Sequence, residues 1–262
     1  MSGIVVEARE LRVRCGARTV GDVSFGVPEG QVYALLGHGG SGKTLLLEAL
    51  AGLRRPCGGT VRIRGADPYA AREGLRIGTV WRDGGLFPGL TVSEIVTAWR
   101  RWTLDPLAAD EALALTGLEA FAGARFERLT AGERRRLDLS LALLGRSDVL
   151  FLDEPTSGLG SGTIHLIWAT LRRIAASGTT VLLATRDAAE ARRADGVVVV
   201  DRARPVAPGG GTGTGMISIR GSASSGGPGA ARFWSQAAAT GAPGPAAAQL
   251  PGPLGSRGRA AG

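Results

Sequence analysis

Gly37-His38-Gly39-Gly40-Ser41-Gly42-Lys43-Thr44 follows the apolar run Val32–Leu36 and opens onto the apolar segment Leu45–Leu53. The run before it has the length and composition of a buried strand, and the segment after it reads as a helix. Between the two, glycines at 37, 39, 40 and 42 allow successive backbone N–H groups, with that of Ser41, to turn inward around phosphate oxygens. The helix N-terminus adds its dipole to the same cradle. Lys43 stands where an ammonium bridges the outer phosphates, and Thr44 where a hydroxyl reaches Mg²⁺. The expected ligand is a nucleotide, ATP with Mg²⁺. His38 occupies an unconstrained loop position and is expected to be solvated.

Composition singles out one residue of this loop. The chain holds 30 arginines, a single lysine and no asparagine. Where arginine occupies every other basic position, the surviving lysine marks a site that needs a compact ammonium and not a planar fork. That lysine is Lys43.

Outward from the loop, strand-like runs at Ile4–Ala8, Val32–Leu36, Val61–Arg64, Ile77–Trp81, Val149–Asp153, Val181–Thr185 and Val197–Asp201 alternate with helical stretches. This pattern predicts an α/β domain of P-loop NTPase type, with a mainly parallel sheet and the early strands as a separate antiparallel edge. Between about residues 83 and 145 the strand signal disappears. Helical segments replace it, two of them opening with capping-box spacing at Thr91–Glu94 and Thr130–Glu133, which predicts a helical insert. From Gly209 onward Gly, Ala, Pro and Ser dominate, too little apolar surface to offset chain entropy, so residues 209–262 are expected to be a disordered tail. Met216–Ile219 and Phe233–Trp234 are the islands there that could dock.

The formal charge of +8 invites a nucleic-acid reading. Four arginines and no acid lie in residues 209–262, leaving about +4 on residues 1–208, ordinary for a domain of this size. Nucleic acid is therefore not the expected partner. Cys15 and Cys57 are too few and too loosely placed for a disulfide framework or a zinc site, which fits a reducing cytosol. Met1–Glu10 lacks the apolar core of a secretory signal, and the longest apolar runs are strand-length, so neither export nor a membrane span is expected.

Val149–Glu154 supplies the second chemical element, an apolar strand ending in two adjacent acids. Asp153 would hold Mg²⁺ through water beside the phosphate loop, and Glu154 would act on the attacking water as general base.

Together with Leu129-Thr130-Ala131-Gly132-Glu133 and Asp153-Glu154-Pro155-Thr156-Ser157-Gly158-Leu159, these residues resemble the ATP-binding-cassette (ABC) nucleotide-binding subunit over roughly residues 4–208. The resemblance implies a nucleotide-binding domain over residues 1–208 and two such domains sandwiching two ATP molecules. The signature Leu129–Glu133 of one would face the phosphate loop of the other. Leu86–Val92 looks like the segment leading from the Q-loop into the insert that meets a transmembrane permease. The spacing from Thr179 to Asp201 looks like export-type cassettes. The implied protein is an ATPase lying in the cytoplasm, peripheral on the inner face of the membrane through its permease. Two other readings stay open: a regulatory partner that holds ATP with little turnover, and a non-transport cassette acting on nucleic acid or ribosomes.

Four positions depart from the family pattern. Cys15 stands where an aromatic residue stacks on adenine, a contact worth about 1–3 kcal/mol in comparable base stacking. Arg82 replaces the Q-loop glutamine, Gly160 the D-loop aspartate, and Arg186 the switch histidine. Arginine grips phosphate with a fixed charge but cannot exchange protons near neutral pH. Binding of MgATP with slow hydrolysis is the expectation that follows.

Overall fold

A computed structural model describes residues 3–16, 18–70, 74–200 and 219–221, with the backbone alone at Cys15, Arg18 and residues 219–221. The described strands form two sheets. β1 (Ile4–Cys15), β2 (Arg18–Pro28) and β4 (Gly58–Ile63) make an antiparallel sheet in the order β2-β1-β4. The larger sheet runs β5-β6-β7-β3-β8-β9, from β3 (Val32–Leu36), β5 (Ile77–Val80), β6 (Val149–Asp153), β7 (Thr180–Thr185), β8 (Gly196–Val199) and β9 (Ile219–Gly221). All its pairings are parallel except β8–β9.

The three central strands are fully buried because both faces of the sheet are covered, which is why they read as unbroken apolar runs. Alternate residues serve different cores. Val32, Ala34 and Leu36, with Leu150, Leu152, Val181 and Leu183, pack toward the helices that follow β5. Tyr33 and Leu35, with Val149, Phe151, Leu182 and Ala184, pack toward α1 (Lys43–Leu50) and the antiparallel sheet.

Between β5 and β6 lie α2 (Val92–Arg100), α3 (Ala109–Thr116) and α4 (Ala131–Leu143). Both predicted capping boxes form. Thr91 and Thr130 accept the backbone N–H of Glu94 and Glu133, whose carboxylates accept the N–H of the capping threonine in return. After β6 come α5 (Ser161–Ala176) and the short α6 (Ala188–Ala191).

Two strand expectations change. The first strand continues past Ala8 to Cys15, and β2, which the run pattern did not single out, pairs along its length. Val20, Val23, Phe25 and Val27 of β2 are buried among glycines and polar residues that dilute the apolar signal. In the stretch expected to be a tail, Ile219–Gly221 adds an antiparallel edge strand; the rest of residues 209–262, with Phe233–Trp234, lies outside the described residues. Among the described residues no helix is long and apolar enough to cross a membrane.

Candidate nucleotide site

Parallel strands deliver their C-terminal ends, and the loops that follow, to one edge of the sheet. Here that edge collects Gly37–Thr44 after β3, Trp81–Arg82 after β5, Asp153–Glu154 at the end of β6 and Thr185–Arg186 at the end of β7. Gly37 N–H donates to Thr185 O at 3.2 Å and Glu154 N–H to Ala184 O at 3.0 Å, tying the three central strand ends together.

Lys43 is the first residue of α1 and is almost fully buried. Its ammonium donates to Gly37 O at 2.8 Å and His38 O at 3.0 Å, so it holds the loop closed around itself. Burial pushes its pKa down, and the neighbouring carboxylates of Glu154 and Asp153 push it back up. Gly42 just before it has φ of 93°, and a Cβ there would sit 2.3 Å from Val20 Cγ1. No other residue type fits that turn. Gly39 and Gly40 are exposed, whereas Ser41 is buried with a hydroxyl that has no hydrogen-bond partner, a polar atom turned into the loop.

The expected metal pair is in contact. Thr44 Oγ1 donates to Asp153 Oδ2 at 2.8 Å. Burial raises the Asp153 pKa above the ordinary carboxylate range, while the Thr44 bond and the charges of Lys43 and Arg82 oppose that shift. Two hard oxygens side by side at a phosphate loop fit Mg²⁺, which Thr44 and Asp153 would hold.

Glu154 follows with a left-handed φ of 45°, an uncommon conformation for a side chain of this kind. Its carboxylate is 12% exposed and lies between two guanidiniums, Arg82 Nη1 at 3.8 Å and Arg186 Nε at 3.8 Å. Neither contact is a hydrogen bond, and Glu154 Oε2 has no hydrogen-bond partner. Two of the four departures therefore converge on the candidate base. Gly160 is the N-cap of α5 and offers no side-chain cap. Cys15 closes β1, and its side chain lies outside the described residues.

The signature residues stand apart, at the start of α4. Thr130 and Ala131 are exposed, Glu133 is half-buried, and Leu129 and Gly132 are buried. A Cβ on Gly132 would meet Thr163 Cγ2 at 2.2 Å, so glycine is what allows α4 to approach α5 this closely.

Two further elements that sequence reasoning missed position these groups. Arg135 of α4, 11% exposed, donates to Trp81 O and Arg82 O, both at 2.8 Å, and pairs with Asp138 at 3.6 Å. Asp138 in turn accepts Gly85 N–H at 3.3 Å. The segment carrying Arg82 is thus held from α4. Burial lowers the Arg135 pKa and raises that of Asp138. On the other side, buried Glu190 of α6 accepts Thr156 Oγ1 and Thr185 Oγ1, each at 2.6 Å. That carboxylate joins the turn after Glu154 to the residue before Arg186.

Comparisons with known proteins agree with this geometry. The family model described as ABC transporter matches residues 20–157. The Nod factor export ATP-binding protein I of Ralstonia nicotianae is 39% identical over 214 residues, 78% of this chain and 67% of that protein. The daunorubicin/doxorubicin resistance ATP-binding protein of Streptomyces peucetius is 34% identical over 207 residues, 76% of this chain and 63% of that protein. Among solved structures, a cassette from Clostridium perfringens, part of an ABC transporter complex, superposes with a TM-score of 0.67 at 25% identity, covering 77% of this chain and 87% of that one. An ATP-binding cassette in a dimeric post-hydrolysis state, bound to ADP and Pi, superposes with a TM-score of 0.63 at 23% identity, covering 76% and 98%. On the family model and these relatives, the chain belongs to the ABC transporter family as one of its ATP-binding cassettes.

Proposed function

We propose that this cassette couples ATP binding and hydrolysis to export through a separate membrane permease, and that its own turnover is slow. The observation that carries the first part is the closure of Lys43 and Thr44 onto the loop carbonyls and Asp153, with Glu154 next in line. Lys43 and the loop N–H groups would hold the phosphate tail, and Thr44 with Asp153 would hold Mg²⁺, which when bound neutralises phosphate charge. Glu154 would accept a proton from the water whose oxygen attacks the terminal phosphorus, as the bridging oxygen departs with ADP.

The second part follows from the ion pairs. Arg82 and Arg186 crowd this carboxylate at 3.8 Å, where the attacking water must come, and neither guanidinium can exchange a proton near neutral pH. This favours, as a second reading, a cassette that mainly holds ATP beside a more regular partner. The exposed Thr130 and Ala131 support a facing cassette, whose phosphate loop they would meet. An aromatic chain supports a permease contact: Phe87 packs edge-on against Trp99, and Trp99 against Trp102, which is 83% exposed. Attachment through that surface would put the cassette on the cytoplasmic face of the membrane.

The test is ATPase activity of wild type against Glu154→Gln and against Arg82→Gln/Arg186→His. A drop of about a hundredfold or more for Glu154→Gln supports chemistry at this carboxylate. Equal rates for wild type and Glu154→Gln would instead support the ATP-holding reading. A faster double variant supports restraint by the arginines; no acceleration with ATP still bound would count against it.

A further inference from the structure

Three cationic side chains gather at the strand ends that form the candidate site. Lys43, Arg82 and Arg186 bring three positive charges to the strand ends, and Asp153 and Glu154 bring two negative ones. Asp187 and Glu190 line the same cleft, so the positive charge is local to Lys43 and the two guanidiniums. The effect of the arginines extends past Glu154: the Arg82 charge is felt at Asp153, and the Arg186 charge at Lys43.

The geometry lets these charges be redirected. Arg82 and Arg186 have side chains 55% and 54% exposed, and each meets Glu154 at 3.8 Å without a hydrogen bond. Loose, half-exposed ion pairs of this kind hold little net free energy, so a better anion can draw the guanidiniums away. A terminal phosphate offers charge and the bidentate geometry that a guanidinium matches. Their backbones, in contrast, are anchored. Arg135 holds the carbonyls of Trp81 and Arg82, and Glu190 holds Thr185 immediately before Arg186. Two tethered cations whose heads are only loosely paired with Glu154 therefore flank the place a terminal phosphate would enter.

We propose that Arg82 and Arg186 serve as built-in counter-charges for the terminal phosphate, so that this cassette takes a nucleoside triphosphate with little dependence on a divalent cation. The proposal rests on the reading that Gly37–Thr44 binds ATP. Thr44 and Asp153 keep the oxygens for Mg²⁺, but the guanidiniums already supply much of the charge that a cation brings to the triphosphate. The same charges would lower the electrostatic gain from adding a cation beside them.

The experiment is equilibrium binding of ATP and of ADP to the full chain, once with excess Mg²⁺ and once with EDTA. For wild type the Kd for ATP is expected to change by less than about threefold between the two conditions. For Arg82→Gln/Arg186→His it is expected to weaken by about tenfold or more in EDTA, with ADP affected less than about threefold. A wild-type loss of about tenfold or more in EDTA, with binding intact in Mg²⁺, overturns this proposal and leaves ATP binding standing. Equal weakening of ATP and ADP in the double variant overturns the assignment to the terminal phosphate. Absence of ATP binding in both conditions removes the underlying reading and this one with it. Should the double variant fail to fold, the wild-type comparison decides, with Arg82→Gln and Arg186→Gln singly as the second arm.

Discussion

Around Gly37–Thr44 the two functional side chains are already hydrogen-bonded, buried Lys43 to two loop carbonyls and Thr44 to buried Asp153, whereas Arg82 and Arg186 reach Glu154 without a hydrogen bond and with side chains more than half exposed. Lys43 and Asp153 are anchored in the core, and the two guanidiniums are laid over them. A substitution in the first half disturbs folding and binding together. A substitution in the second changes chemistry at little cost to the fold. Of the four departures that the family resemblance implies, three, Arg82, Gly160 and Arg186, lie on this exposed side.

Arg135 is the residue that ties the exposed half to the helices beneath it. Arg135→Met leaves Asp138 and two carbonyls without their cation, and should cost about 3 kcal/mol in urea unfolding. A loss below about 1 kcal/mol would mean that α4 does not hold the Arg82 segment. In the buried half, Lys43→Ala should weaken ATP binding by about a hundredfold, or roughly 2.8 kcal/mol, measured by equilibrium dialysis. Unchanged affinity would remove the loop from the site.

A pH series sharpens the contrast. Asp138 titrates above the ordinary carboxylate range because it is buried, so the folded chain binds its proton more tightly than the unfolded chain does. Its contribution to stability is therefore unfavourable above the folded pKa and is relieved as pH falls through that value. Wild type should gain stability relative to Asp138→Asn as pH drops from about 7 toward about 4. A constant difference in unfolding midpoint across that range would argue against a buried carboxylate. The smallest effect belongs to the exposed half, where Gly160→Asp supplies α5 with a side-chain cap and should add a few tenths of a kcal/mol. A loss of stability there would mean that Gly160 is constrained by more than helix capping.

Much of the fold was legible because its signals are local. β3, β6 and β7 are covered on both faces, and that condition writes itself as continuous apolar runs. Thr91–Glu94 and Thr130–Glu133 announce helix starts through a bond between residues three apart. β2 was missed because its outward positions are glycine and polar, and because its identity depends on pairing with β1. At the site, the residue types of the loop and the acid pair could be read directly, and the arginine departures could be read as substitutions. Their convergence on one carboxylate could not, since Arg82 and Arg186 lie 104 positions apart in the chain. Arg135 was hidden among three consecutive arginines. A helix turns about 100° per residue, so three neighbours face three directions and only tertiary packing assigns their roles. Arg134 lies over the Phe126 ring, Arg135 holds the carbonyls of Trp81 and Arg82, and Arg136 donates to Gly117 O at the end of α3.

Glu190 carries a mechanical consequence. Because one buried carboxylate accepts both Thr156 and Thr185, the turn after the candidate base and the strand end before Arg186 are pinned to a single point. A displacement at either one loads the other through two short bonds. The two loops on this side of the site therefore count as one moving part, and a push arriving from a facing cassette on the Ser157–Leu159 turn would be transmitted along it to the arginine.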